Sequence, residues 1–286
     1  MKVEKIFKMM SAGVLLAMVV VSVSCKDPEK EKEKEKEKEK ENGKVETFTA
    51  NGVSFDMVFV KGGTFTMGYV ESRDSDTNAM LDRETPSHQV TLSDFSIGKF
   101  EVTQKLWQAV MDSNPSYFKG DNRPVECVSW DDAQAFLVKL NAATGKKFRL
   151  PTEAQWEYAA RGGSQSKNYK YSGSNNIDEV AWYYDNSLAL GEGHTNYGTN
   201  PVGTKKPNEL GIYDMTGNVW EWCSDWYDVY SAAAQTNPQG AAEGSIRVVR
   251  GGGWSHIAQY CHMSDRGYAT PANRINRIGL RLSLVP

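Results

Sequence analysis

The sequence predicts a mixed domain of short strands and short helices joined by long irregular segments. Three observations predict it. β-Branched and aromatic residues alternate with polar ones at 55–68 and again at 89–103, the two-residue period of strands. Helix start and stop signals bracket 129–145 and 152–163. Residues 164–286 have little periodicity but many Trp and Tyr, which can fill a core under irregular backbone.

The first residues read as an export signal. Lys2, Lys5 and Lys8 form a basic n-region, followed by the apolar run "MMSAGVLLAMVVVSV". That run is too short for a span of about 20 residues and has the form of a secretory h-region. Ser24 precedes Cys25, as at a lipoprotein cleavage site, so residues 1–24 are expected to be removed and Cys25 lipidated. Ser22 stands where a Leu is usual. Residues 26–44 hold eight Lys against eight Asp or Glu. Their alternation places opposite charges at i,i+3 and like charges at i,i+4, so helical support partly cancels. With nothing apolar to bury, residues 25–45 are expected to act as a solvated spacer. The expected location is the cell envelope, tethered to a membrane by lipid.

The domain is expected over 46–286. "FDMVFVKGGTFTMG" (55–68) reads as a hairpin turning on Gly62-Gly63, and 69–88 as a polar loop. Residues 89–103 read as strand, turn, strand. "TQKLWQAVM" has helical spacing, with Leu106, Trp107 and Val110 on one side. Ser129 is an N-cap followed by acids in the first turn, and Gly145 ends that helix. Thr152 and Gln155 form a capping box for a second short amphipathic helix that ends at Gly162-Gly163. Irregular backbone beyond 164 needs partners for its N–H and C=O groups, and calcium is one solution in exported proteins.

The formal net charge of −3, with no basic stripe, excludes nucleic-acid binding. After Cys25 the chain has Cys127, Cys223 and Cys261, so one disulfide at most can form within the chain. Cys127 and Cys223 lie in apolar stretches and read as buried thiols, with a bridge between them left open. Arg266, Arg274 and Arg281 read as partners for carboxylates and carbonyls.

The motifs "FVKGGTFTMG", "ETPSHQVTL", "FEVTQKLW", "RPVECVSWDDAQAF", "FRLPTEAQWEYAARGG", "GIYDMTGNVWEWCSDWY", "RVVRGGGW" and "NRIGLRL" follow one another across 55–283. In these residues the chain resembles the formylglycine-generating-enzyme, or sulfatase-modifying-factor, family. The resemblance implies an α+β fold related to the C-type lectin fold, with low regular secondary structure and short helices flanking small antiparallel sheets. The family spans copper-dependent oxidases, sulfoxide synthases, and lipoproteins that bind ligands or assemble machinery, so fold does not settle function. A sulfoxide synthase needs three His from an added domain; His88, His194, His256 and His262 do not supply them.

Further expectations follow from the resemblance. Asp214, Gly217, Val219 and Glu221 correspond to a family calcium site, whose hard oxygen ligands suit that ion. The alternative is that both carboxylates only accept from backbone N–H groups. A second, looser calcium match falls at Asn186 and Ser187. The oxidases bind copper through two cysteines five apart; here the second is Cys261 and the first is His256. Trp220 matches an active-site Trp, and Gly253 replaces a serine. Cys261, His256 and Trp220 are therefore the candidate catalytic set, with Cys261 as a buried core thiol and His256 as a surface residue the alternative. Trp254, His256, Tyr260 and Tyr268 are the candidate ligand-binding set. The expected function is a lipid-anchored binding or assembly module for a protein or glycan ligand. The alternative is an oxidase that makes formylglycine on a sulfatase. "RETPSH" (83–88) is expected to hold turn chemistry and no metal.

Overall fold

The computed structural model describes residues 41–74 and 81–285. The expected signal peptide, Cys25 and residues 26–40 of the expected spacer lie outside the described residues. Among the described residues no helix is long and apolar enough to cross a membrane. The strands are β1 (Val45–Ala50), β2 (Val53–Val60), β3 (Gly63–Met67), β4 (His88–Leu92), β5 (Phe95–Gly98), β6 (Trp220–Trp226), β7 (Gln235–Thr236), β8 (Arg247–Arg250), β9 (Arg266–Ala269), β10 (Ile278–Leu280) and β11 (Ser283–Leu284). The three longer helices are α1 (Gln104–Met111), α2 (Trp130–Thr144) and α3 (Glu153–Ala160). One-turn helices at Glu71–Asp74 and Leu81–Glu84 interrupt the expected polar loop.

Three sheets form, ordered β1-β2-β5-β11, β10-β6-β8-β9 and β3-β4-β7. The expected antiparallel pairing dominates, but β10–β6 and β4–β7 are parallel. The expected hairpin over 55–68 does not form. β2 pairs with β1 and β5, and β3 pairs with β4. Gly62 carries the chain from one sheet to the other; a Cβ there would meet the Leu92 carbonyl oxygen at 2.2 Å. The hairpin of the first sheet turns instead on Asn51-Gly52, with φ of 46° and 81°, the left-handed pair that a tight two-residue turn demands.

The alternation of β2 divides the interior. Met57 joins one core with α1, α2 and Trp222, while Val58 and Val60 join a second with α3, Val90 and Val248. The caps are as expected. Ser129 and Thr152 both accept from the backbone three residues on, with Asp132 and Gln155 completing each box, and Gly145 ends α2 at φ 68°. α3 departs from expectation, because all eight residues are buried. Its apparent polar face, Glu153 and Glu157, is neutralised by Arg266, Arg250 and Arg161.

Candidate functional site

Glycine builds the site. After β8 the chain runs through Gly251 and Gly252 with φ of 101° and 76°. A Cβ on Gly252 would lie 2.5 Å from Cys261 Sγ and 2.7 Å from the Tyr260 carbonyl oxygen, so only glycine lets the two loop arms touch. The returning arm makes a 3-10 turn at Ala258–Tyr260 and then enters β9.

That turn separates the two residues whose five-residue spacing suggested a pair. The His256 ring lines a cleft of about 260 Å³ with Arg83, Trp220, Tyr260, Asp265, Arg266 and Gly267. Trp220 Nε1 lies 3.3 Å from both His256 ring nitrogens, one of which accepts. Burial, then Arg277, lowers the His256 pKa to about 4, so the ring is neutral at pH 7. Cys261 is fully buried among Tyr171, Ile177, Val180, Ala181 and Tyr183. Its thiol meets residue 256 only at the backbone carbonyl, at 3.9 Å. Burial and the Asp265 charge push this thiol well above the ordinary range, which disfavours the thiolate.

The ligand-binding set is only partly assembled. His256 and Tyr260 line the cleft. Tyr268 is exposed on β9 at its edge, with the cleft residue Arg83 stacked 5.0 Å over its ring. Trp254 is a correction: it is 4% exposed, stacks edge-on against Phe118 and Tyr197, and donates to the Asn276 carbonyl. It is a core residue of the irregular segment.

At the first calcium position, Glu221 accepts from Arg281 and from Trp156 Nε1, the latter at 2.7 Å. Asp214 accepts from Gly203 N–H at 2.7 Å. Gly217 packs its backbone against Trp182, where a Cβ would lie 2.2 Å from the carbonyl oxygen, and Val219 donates its N–H to Glu101. Sequence reasoning missed Glu101, a third buried acid here. Burial, then Asp214 and Glu221, push Glu101 well above the carboxylate range, and burial pushes Asp214 up to about 6. Arg281, Trp156, Gly203, Asn218 and Val219 already serve these carboxylates, and among the described residues the three acids do not gather one oxygen each within an ion's reach; calcium here is what the family resemblance implies. At the second position, Asn186 accepts from Tyr183 N–H and the Ser187 hydroxyl sits 2.8 Å from the Asn196 carbonyl oxygen. Asn200 Nδ2 reaches the Asn196 carbonyl as well, so protein donors already serve the oxygens gathered there.

The buried Arg250 guanidinium clamps the returning arm. It donates to the carbonyls of Met263, Ser264 and Asp265 and pairs with Glu157. Arg266, Arg274 and Arg281 pair with Glu153, Asp132 and Glu221, as their sequence context indicates. The clamp brings His262 and Asp265 beside Glu84, the last residue of the 81–84 turn, where sequence reasoning expected turn chemistry alone. Among the described residues Cys127, Cys223 and Cys261 are free thiols; Cys127 lies half-buried with its pKa pushed up to about 12, and Cys223 is buried.

Residues 41–284 match the family described as sulfatase-modifying factor enzyme 1-like domain. The chaperone protein LppX of Paenibacillus barcinonensis is 43% identical over 260 residues, covering 75% of this chain and 84% of that protein. The mouse formylglycine-generating enzyme is 35% identical over 185 residues; 61% of this chain spans 48% of its length. Among solved structures, Treponema denticola variable protein 1 superposes with a TM-score of 0.72 at 33% identity, covering 85% of this chain and 99% of that one.

Proposed function

The chain belongs to the sulfatase-modifying factor enzyme 1-like family, and from that premise we propose that it is a binding or assembly module held at a membrane by lipid on Cys25. The observation that carries this reading is the Cys261 thiol, which is buried behind Gly252 and faces a backbone carbonyl, while the cleft beside it presents an imidazole. A soft two-thiolate copper site needs a second thiol, and a neutral His256 ring on the other side of the turn does not supply it. The cleft and its edge instead offer Tyr260, Tyr268, Arg83 and His256, stiff amphipathic groups suited to contacting a protein or glycan ligand. The relative named as a chaperone agrees with such a role. Calcium, held near Asp214 and Glu221, would act as a structural ion that stiffens the segment carrying Trp220.

A photo-crosslinking residue at position 268 in cells tests the reading, with Val138, exposed on α2, as control. The expected result is discrete adducts from 268 and none from 138. The same adduct pattern from both would overturn it. The second reading, a formylglycine-generating oxidase of a sulfatase cysteine, draws on the retained Trp220 at the cleft, on Cys261, and on the likeness to the mouse enzyme.

A further inference from the structure

We propose that Glu84, His262 and Asp265 bind one divalent first-row transition-metal ion of the zinc class, at a site opening into the cleft through Asp265. One donor atom from each residue lies within 4.8 Å of the others, and all three residues are buried. Nitrogen and oxygen ligands sit about 2.0–2.2 Å from a tetrahedral zinc and so about 3.3–3.5 Å from one another, which needs the His262–Glu84 contact to open slightly and shifts of at most about 1.5 Å elsewhere.

The hydrogen bonds already orient the ligands. His262 Nδ1 lies 2.6 Å from the Gln259 carbonyl oxygen. A carbonyl only accepts, so Nδ1 carries the proton. In the neutral ring Nε2 then points its lone pair at the Glu84 carboxylate, whose oxygens are 3.0 and 3.2 Å away. When the ring is protonated this contact is an ion pair, and a metal ion would take the place of the Nε2 proton between the same two groups. A carbonyl that holds the remote nitrogen of a metal-bound imidazole is the usual outer support of such a ligand.

Asp265 supplies the independent observation. It is 3% exposed, yet among the described residues nothing hydrogen-bonds its carboxylate oxygens; its bonds run through the backbone, to His262 and from Arg250. A buried carboxylate without a partner is rare. Arg250 is paired with Glu157 and Arg266 with Glu153, while Arg83, which lines the same cleft, stacks over the Tyr268 ring. A dication would bind the Asp265 carboxylate together with Glu84, whose own partner is His262.

The donor set selects the ion. Calcium and magnesium favour all-oxygen sites, and copper(I) favours thiolates, whereas one imidazole with two carboxylates suits zinc, manganese(II) or iron(II). Three protein ligands leave a coordination position open, and Asp265 lines the cleft that holds His256 and Tyr260. The site is thus separate from both the calcium and the copper positions that the family resemblance implies.

The test uses the full-length protein, stripped with a chelator and titrated calorimetrically with zinc chloride. Binding of one zinc per chain is expected, weakened at least about tenfold in Asp265→Asn, which keeps the shape and removes the charge. Thermal melts of the metal-free proteins check that the variant folds. X-ray absorption of the zinc-loaded wild type needs no variant, and a shell of nitrogen and oxygen including an imidazole is expected. No stoichiometric zinc, equal affinity in a folded Asp265→Asn, or a sulfur shell from a cysteine would each overturn the proposal.

Discussion

Replacing Glu157 with Gln tests whether the clamp on the cleft loop is electrostatic. The Glu157 carboxylate is fully buried and accepts from Gly68 N–H at 3.0 Å, from Arg161 at 2.8 Å and from Arg250. Burial alone would raise its pKa, but Arg161, Arg250 and Arg73 together outweigh it and lower the value from 4.5 to about 2. At about 1.4 kcal/mol per pH unit, that drop corresponds to about 3 kcal/mol of stability. Stranding a buried charge costs about 3–5 kcal/mol. Here Arg250 still has Glu153 at 3.7 Å and Arg161 still has Asp74 at 3.8 Å, which favours the low end. Urea unfolding at pH 7 should therefore show Glu157→Gln destabilised by about 3 kcal/mol. A folded pKa below the unfolded value gives stability that is present above pH 4.5 and lost as pH falls toward 2. The gap between wild type and variant should accordingly shrink by about 2 kcal/mol between pH 7 and pH 3. A cost below about 1 kcal/mol at pH 7, or a gap independent of pH, would refute the electrostatic account of the clamp.

Three further outcomes follow from the same reasoning. Burial, then Glu153, push buried Asp225 up to about 7; its contribution is present below pH 3.8 and lost as pH rises through 7, so Asp225→Asn should raise the melting temperature at pH 8 by more than at pH 5. A larger gain at pH 5 would contradict this. His256 should titrate near pH 4 in ring-proton NMR, because burial lowers its pKa; a midpoint above 6 would mean that the ring is solvated. Cys223 and Cys261, both fully buried, should resist alkylation at pH 8 until urea unfolds the chain; labelling of Cys261 in the folded protein at the rate of a free thiol would remove the basis for calling it structural.

Local signals carried much of the fold. The caps at Ser129, Thr152 and Gly145 were legible because each satisfies backbone groups within a few residues. Pairing between strands was not, since Asn51-Gly52 marked the true hairpin and Gly62-Gly63 drew attention away from it. α3 looked amphipathic because the arginines that neutralise Glu157 and Glu153 include Arg250 and Arg266, remote in sequence. Trp254 looked like a contact residue because composition does not report that Phe118 and Tyr197 enclose it. His256 and Cys261 looked like a pair because spacing does not show that the 3-10 turn between them sends one side chain to the cleft and the other inward. Glu84 and His262 lie 178 residues apart, so no local pattern could join them.

The central claim is that this family fold is used here without thiol chemistry. Its most direct test incubates the full-length protein with copper(I), oxygen and a Cys-x-Pro-x-Arg peptide, and follows the peptide by mass spectrometry. The account predicts no aldehyde above a control without protein. Aldehyde formed by the wild type and absent with Cys261→Ser would contradict it and make Cys261 a catalytic residue.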